Sequence, residues 1–168
     1  MMVMDRKART RTITWDDPMT ALTEGAALPG LAFIQAIFDG RLPRPPITAT
    51  MGFTGATAEE GNVIFVGEAS EHLYNPIGVV HGGFAMTILD SAMGCAVHTT
   101  LAVGEGYMTL EAKVNFVRPI TLETGPIRCE GTVVHRGGKI VTAEGRLVAE
   151  RTGKLLAHGT TTCLVLKQ

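Results

Sequence analysis

The 168-residue sequence predicts an α+β fold in which a curled antiparallel sheet wraps one long central helix, with a short helix ahead of it. Three observations carry this. A proline-free apolar run from Gly83 to about Leu101 reads as one long helix. A hairpin precedes it, and a meander of strand-like segments joined by glycine-bearing turns follows it. The length suits one domain with a core of ordinary size, so residues 1–30 are read as an N-terminal arm and residues 31–168 as a single domain.

The elements follow in chain order. Leu31 to Phe38 is a short apolar helix stopped by Asp39-Gly40, after which the proline-rich stretch Leu42 to Pro46 carries the chain onward. Ile47 to Ala56 and Asn62 to Ala69 read as a strand pair turning at Glu60-Gly61. The long helix is apolar on every face, with Phe84, Ala85, Met86, Ile88, Leu89, Ala92, Met93, Cys95, Ala96 and Val97. Such a helix is expected to be buried nearly all round, with Met86, Met93 and Cys95 in the core. Tyr107 to Val117 alternates: Met108, Leu110, Ala112, Val114 and Phe116 fall on one side, and Thr109, Glu111, Lys113 and Asn115 on the other. That pattern predicts a half-buried strand. Ile127 to His135, Lys139 to Val148 and Leu155 to Leu166 complete the meander, joined by Arg136-Gly137-Gly138 and Arg151-Thr152-Gly153.

Composition narrows the function classes. Fifteen basic and sixteen acidic residues leave the charge near zero, which argues against nucleic acid or an anionic membrane as a general partner. Cys95, Cys129 and Cys163 are odd in number and widely spaced, so neither a disulfide framework nor a CxxC metal site is expected; a cytoplasmic setting fits. His72, His98, His135 and His158 lack metal-ligand spacing and read as structural or exposed. The start, Met1 to Trp15, is basic (Arg6, Lys7, Arg9, Arg11) without the apolar stretch of a secretory signal. It reads as a solvated tail or as a strap over a neighbouring subunit.

The chemistry-bearing stretch runs from Asn75 to Asp90. A Pro- and Gly-bearing loop enters the helix at Gly82-Gly83, where unpaired N–H groups at the positive end of the helix dipole form a ready oxyanion site. Asp90 is the sole ionisable residue on this helix before His98. If buried, its carboxylate needs compensation, through catalysis or through hydrogen bonds to neighbouring amides and hydroxyls. Eight residues separate Gly82 from Asp90, about 12 Å along a helix. One carbonyl cannot reach both in one chain. A catalytic reading therefore requires a two-fold dimer in which Gly82 of one subunit faces Asp90 of the other.

Asn75, the His81-Gly82-Gly83 triplet and Asp90, in this order and spacing, resemble the signature of the PaaI-type branch of hotdog-fold acyl-CoA thioesterases. The likeness extends from roughly Leu31 to Leu166, through Asn115-Phe116-Val117-Arg118-Pro119 and the Arg136–Lys139 hairpin. The resemblance implies a hotdog fold and hydrolysis of an acyl-CoA thioester, with Asp90 as nucleophile or general base and the partner's Gly82 N–H polarising the carbonyl. It further implies that Asn75 positions the water or the carbonyl, that His81 supports the loop, and that Thr109 orients the attacking water. The strand alternation sets Thr109 with the polar side. Each has a bland reading too: Asn75 as a turn residue, His81 as a cap, the glycines as packing, Thr109 as an ordinary strand residue. Arg118, Arg136, Lys139 and Arg146, with Gly83, Gly137 and Gly138, are candidates for holding the coenzyme A moiety, or are solvated surface charge. Phe33, Ile37, Phe38, Phe53, Phe65 and Phe84 are expected to line an apolar acyl site of modest size. No metal or bound cofactor is required, and the family implies a dimer or tetramer.

Two other readings compete. Hotdog hydratases share the Asn75-Pro76-Ile77 sequence, but they carry an Asp and a His where this chain has Leu73 and Gly78. A non-catalytic acyl-CoA sensor would leave Asp90 a structural polar group. No segment reads as a DNA-binding element.

Overall fold

The computed structural model describes residues 8–167. Three short helices come first: α1 (Pro18–Glu24), α2 (Gly30–Phe38) and α3 (Pro46–Met51). Strands β1 (Phe53–Glu59) and β2 (Asn62–Glu68) form the early hairpin and α4 (Gly82–His98) follows. Strands β3 (Glu105–Phe116), β4 (Pro126–Arg136), β5 (Ile140–Ala149) and β6 (Leu155–Lys167) complete the chain. All six strands join one antiparallel sheet in the order β1-β2-β4-β5-β6-β3, which confirms the α+β class and places β3 at a sheet edge.

The sheet curls around α4 because small residues sit where the helix lies. Gly131, Gly145 and Gly159 are directly paired across β4, β5 and β6. A Cβ on Gly131 would overlap the Ala92 carbonyl, and one on Gly145 would come within 3.0 Å of the Leu89 and Met93 side chains. Glycine in these strands allows the helix backbone to approach the sheet at the cost of strand propensity. Val63, Ile127, Cys129, Val141, Leu147 and Cys163 close over Ile88, Leu89, Ala92, Met93 and Val97 to make the core.

Three sequence expectations change. Ile47 to Ala56 is not one strand: Pro46 starts α3 at its first turn, and Gly52, in the left-handed region at φ 78°, stops it before β1 begins at Phe53. The long helix ends at His98, not Leu101, and it is not buried all round. Met86 is 45% exposed and Asp90 is exposed, so a stripe of α4 lies open in one chain and Met86 is not core. The third concerns β3. A bulge at Leu110, between Thr109 and Glu111, shifts the alternation by one residue. Thr109 pairs with Cys163 on the inner face, whereas Met108 pairs with Leu164 on the outer face. Met108, Leu110 and Phe116 are 48, 50 and 56% exposed, so β3 is an open apolar edge rather than a half-buried strand.

The arm also takes a definite course over its own chain. Arg9 pairs with Glu71, and Arg11 donates to the carbonyls of Ala49 and Thr50 at 2.7 Å each, capping the C-terminal end of α3. Arg6 and Lys7 lie outside the described residues. Helix α1, within the arm, was not expected; its N-cap is Asp17, whose carboxylate accepts from the Met19 N–H. No helix among the described residues is long and apolar enough to cross a membrane.

Candidate active site

The loop entering α4 is held by backbone bonds that aim its end at the helix axis. His81 N–H donates to Leu73 O at 2.8 Å, and Asn75 N–H donates to Val79 O at 2.9 Å. Gly78, at φ 81°, makes the reversal, a conformation that costs glycine little. The Asn75 side-chain oxygen accepts from Ile77 N–H at 3.1 Å and Val79 N–H at 3.4 Å, so Asn75 is a turn residue whose amide NH2 remains as a donor.

His81 is the N-cap of α4: its Nδ1 accepts from Gly83 N–H at 2.8 Å. That bond places the proton of the neutral ring on Nε2. It also occupies the Gly83 N–H, which is therefore not available to a ligand as first expected. The Gly82 N–H has no acceptor among the described residues. A Cβ at Gly82 would lie 3.1 Å from the Phe116 ring, so glycine here leaves the donor open beside an aromatic wall. Asn75, His81, Gly82, Phe116 and Arg118 border a cavity of about 350 Å³.

One helix turn beyond Met86, Asp90 stands on the open stripe of α4, and Thr109 Oγ1 donates to its Oδ1 at 3.1 Å. The bulge at Leu110 makes this bond possible, overturning the assignment of Thr109 to the outward polar side. Asp90 forms no ion pair among the described residues, so its charge is not neutralised by a cation. Its neighbours instead respond to it. Burial, reinforced by the Asp90 charge, pushes the Cys95 thiol up to about 12. Burial, then Cys95 and Asp90, hold the Tyr107 hydroxyl well above the usual phenol range. Both flanking groups therefore stay neutral near pH 7. The chain thus carries an unpaired carboxylate with an orienting hydroxyl and, about 12 Å away along the same stripe, an open N–H donor.

The model of the thioesterase superfamily matches residues 77–156, the stretch from the entry loop through β6's first residues. A candidate esterase of Saccharolobus solfataricus is 29% identical over 102 residues, covering 56% of this chain and 71% of the relative. The structure of a phenylacetic acid degradation-related protein from Ralstonia eutropha superposes with a TM-score of 0.70 at 28% identity, over 78% of this chain and 98% of that one. A thioesterase family protein from Silicibacter pomeroyi gives 0.70 at 28% identity, over 80% and 96%. The chain belongs to the hotdog-fold thioesterase superfamily.

In this thioesterase the residues expected to hold coenzyme A do not come together within one chain. Arg118, beyond the end of β3, donates to Leu155 O at 2.7 Å. The hairpin of Arg136, Gly137, Gly138 and Lys139 sits at the other end of β3, where Arg136 pairs with Glu105 at 3.4 Å and also donates to Gly137 O. The eleven steps from Glu105 to Phe116 span about 36 Å of strand. Arg146 is exposed on the outer face in mid-sheet, opposite Glu130, and belongs to neither end. Two residues beside the thioesterase site escaped the sequence reading: Phe116 against Gly82, and Tyr107, which packs on Gly94 next to Asp90's turn. Their signal is an aromatic in an edge strand facing a helix glycine, legible only once the bulge sets the register.

Proposed function

We propose that this thioesterase hydrolyses acyl-CoA thioesters to free acid and coenzyme A at sites shared between two copies of the chain. The observation that carries the reading is the open stripe of α4: Gly82, Met86 and Asp90 recur every fourth residue and share one face. That stripe runs beside the exposed apolar edge of β3. An uncovered strand edge with Met108, Leu110 and Phe116 is a surface that a second chain would cover. A two-fold axis there sets the helices antiparallel and brings Gly82 of one copy to Asp90 of the other.

In such a site the thioester carbonyl accepts from the partner's Gly82 N–H. Asp90, steadied by Thr109, either takes a proton from an attacking water or attacks the carbonyl itself. Charge moves onto the carbonyl oxygen, where the helix N-terminus stabilises it. Collapse breaks the C–S bond and expels the coenzyme A thiolate, which takes up a proton; on the nucleophilic route the acyl-Asp90 anhydride left behind is then cleaved by water, releasing the acid and freeing the carboxylate. The Asn75 NH2, left unused by the turn its Oδ1 holds, would donate to the carbonyl or the water. The same two-fold brings the Arg118 end of one β3 towards the Arg136–Lys139 hairpin of the other, so a clamp for the phosphates of coenzyme A would also be split between subunits. A Streptococcus mutans protein of this fold, 24% identical, holds acetyl-CoA. No step calls for a metal or a cofactor.

The test is thiol release from a panel of aryl- and alkyl-CoA thioesters by wild type and Asp90→Asn. Release that is lost in the variant supports hydrolysis by Asp90. Unchanged release refutes the role of Asp90, and tight binding of coenzyme A esters without release by wild type supports a sensor instead.

A further inference from the structure

We infer that Tyr107 is a further catalytic residue of this thioesterase: its hydroxyl donates to the attacking water while Asp90 takes that water's proton. This rests on the hydrolase reading above and adds a residue to its general-base route. The placement follows from matched spacings. On β3, Tyr107 and Thr109 pair with Val165 and Cys163 and share the inner face, about 7 Å apart along the strand. On α4, Gly94 continues the stripe of Gly82, Met86 and Asp90, about 6 Å along the axis beyond Asp90. Thr109 meets Asp90, so Tyr107 falls on Gly94.

The seat suits a phenol. A Cβ at Gly94 would overlap the Tyr107 hydroxyl, so glycine lets that hydroxyl lie flush on the helix. Asp90 and His98 stand on opposite sides of Gly94, each about 40° round the helix. On the His98 side the Tyr107 ring meets the imidazole edge-on at 5.8 Å, and His98 in turn stacks on Phe33 at 5.1 Å. Beyond lies a cavity of about 190 Å³ under α2, walled by Phe33, Ile37, Phe38 and Phe65 with Cys95 and His98 as its floor. Those walls are almost wholly apolar and offer water little. The polar side of the Tyr107 hydroxyl is the Asp90 side.

Both groups have capacity to spare. The Tyr107 hydroxyl forms no hydrogen bond among the described residues, where no fully enclosed side-chain polar atom lacks a partner; it therefore opens onto solvent-reachable space. Asp90 accepts from Thr109 through Oδ1, and its Oδ2 has no partner among the described residues. Burial, then Cys95, Asp90 and Cys163, keep the phenol protonated, so it remains a donor. One helix turn, about 5.4 Å, is the span of two O–H···O bonds of about 2.7 Å in series, which one water completes. That water accepts from Tyr107, donates to Asp90 Oδ2 and keeps a lone pair for the thioester carbon. As its oxygen bonds to that carbon, Asp90 takes the proton and the carbonyl π pair moves to oxygen. Return of the pair breaks the C–S bond, and the proton passes from Asp90 to the departing sulfur.

The experiment follows thiol release by the full chain from the aryl- or alkyl-CoA thioester that wild type turns over fastest. Tyr107→Phe keeps the ring on Gly94 and His98 and is expected to lower kcat about tenfold with KM unchanged, because the lost bond goes to the water and not to the thioester. A chain with 3-fluorotyrosine at position 107 keeps the donor but makes it more acidic. Near neutral pH its kcat is expected to match wild type, and its alkaline limb to lie at lower pH, since a phenolate cannot donate. Asp90, Cys95 and His98 of α4 and Cys163 of β6, the titratable groups facing the ring, are the same in both chains and cancel. Unchanged kcat in Tyr107→Phe, a change confined to KM or to the urea midpoint, or a fluorotyrosine chain with the wild-type pH profile overturns the Tyr107 assignment alone. The fluorotyrosine profile decides by itself if Tyr107→Phe does not fold. No thiol release from any thioester by wild type, or unchanged release by Asp90→Asn, refutes the reading on which the assignment rests and the assignment with it.

Discussion

The Thr109 hydroxyl donates to Asp90 Oδ1 at 3.1 Å across the gap between β3 and α4, and the bond exists because the bulge at Leu110 turns Thr109 inward. Without the extra residue, Thr109 would share the outward face with Glu111 and Lys113. A neutral donor to an ionised acceptor contributes about 1.5–3 kcal/mol. Thr109→Val is expected to lower kcat by roughly ten- to a hundredfold, with Thr109→Ser close to wild type. Steady-state thiol release by the two variants checks it, and equal activity in Thr109→Val would show the bond to be structural.

Gly82 is the first residue of α4, a position that tolerates proline. Gly82→Pro removes the open N–H while keeping the helix start, and a loss of about 10²- to 10³-fold in kcat is expected. Gly82→Ala keeps the donor and asks only a small shift of the Phe116 ring. If the two variants lose activity equally, the N–H is not the oxyanion donor.

A shared site makes a quantitative prediction for mixed dimers. Combining Asp90→Asn chains with Gly82→Pro chains gives heterodimers in which one of two sites has both native groups, about half the wild-type sites. Each parent alone is inactive. Mixtures that stay inactive after subunit exchange would count against the two-fold arrangement. Leu110→Arg, on the open edge of β3, is expected to give a folded monomer without turnover, read by sedimentation and thiol release.

His81 caps α4 through Nδ1, so His81→Ala is expected to cost about 1 kcal/mol of stability, and His81→Asn much less. Urea midpoints measure the difference. Because the same substitution frees the Gly83 N–H, activity and stability are to be followed separately.

His98 supplies a pH dependence. Its folded-state value lies below the ordinary histidine value of 6.5 because burial disfavours the imidazolium. As pH falls through that ordinary value the unfolded chain takes up the proton first, so the folded state loses stability until pH passes His98's lowered value. Stability from this group is present above the ordinary value and lost on acidification. His98→Phe, which keeps the stack on Phe33, is expected to flatten the fall in melting temperature between neutral and mildly acidic pH. His72, also lowered by burial and then by Arg11, remains in both proteins and cancels in the comparison.

Much of this molecule is legible from one-dimensional pattern. The apolar run without proline marks α4, the glycine turns mark the β4-β5 and β5-β6 hairpins, and Asn75, His81, Gly82 and Asp90 stand in the order and spacing by which the chain resembles its family. Those signals are local: helix propensity, turn geometry and an N-terminal cap act over a few residues. Helix α3 was hidden because six residues carry too little periodicity, and its proline start and Gly52 stop were the available clues.

The remaining features depend on which distant segments meet. The bulge that brings Thr109 to Asp90 is a relation between β3 and β6, and residues on one strand cannot declare their partner's register. Whether α4 is covered on all sides depends on the sheet's curl, which follows from Gly131 and Gly145 yielding to the helix, and that curl leaves the Met86–Asp90 stripe open. The cavity over Cys95 and His98 likewise exists only where α2, β1 and α3, distant in sequence, close on the end of α4. Local spacing determined the order of the candidate residues along the entry loop and the helix; long-range packing decided which of them face one another, because side-chain direction is set by register and burial by the whole fold.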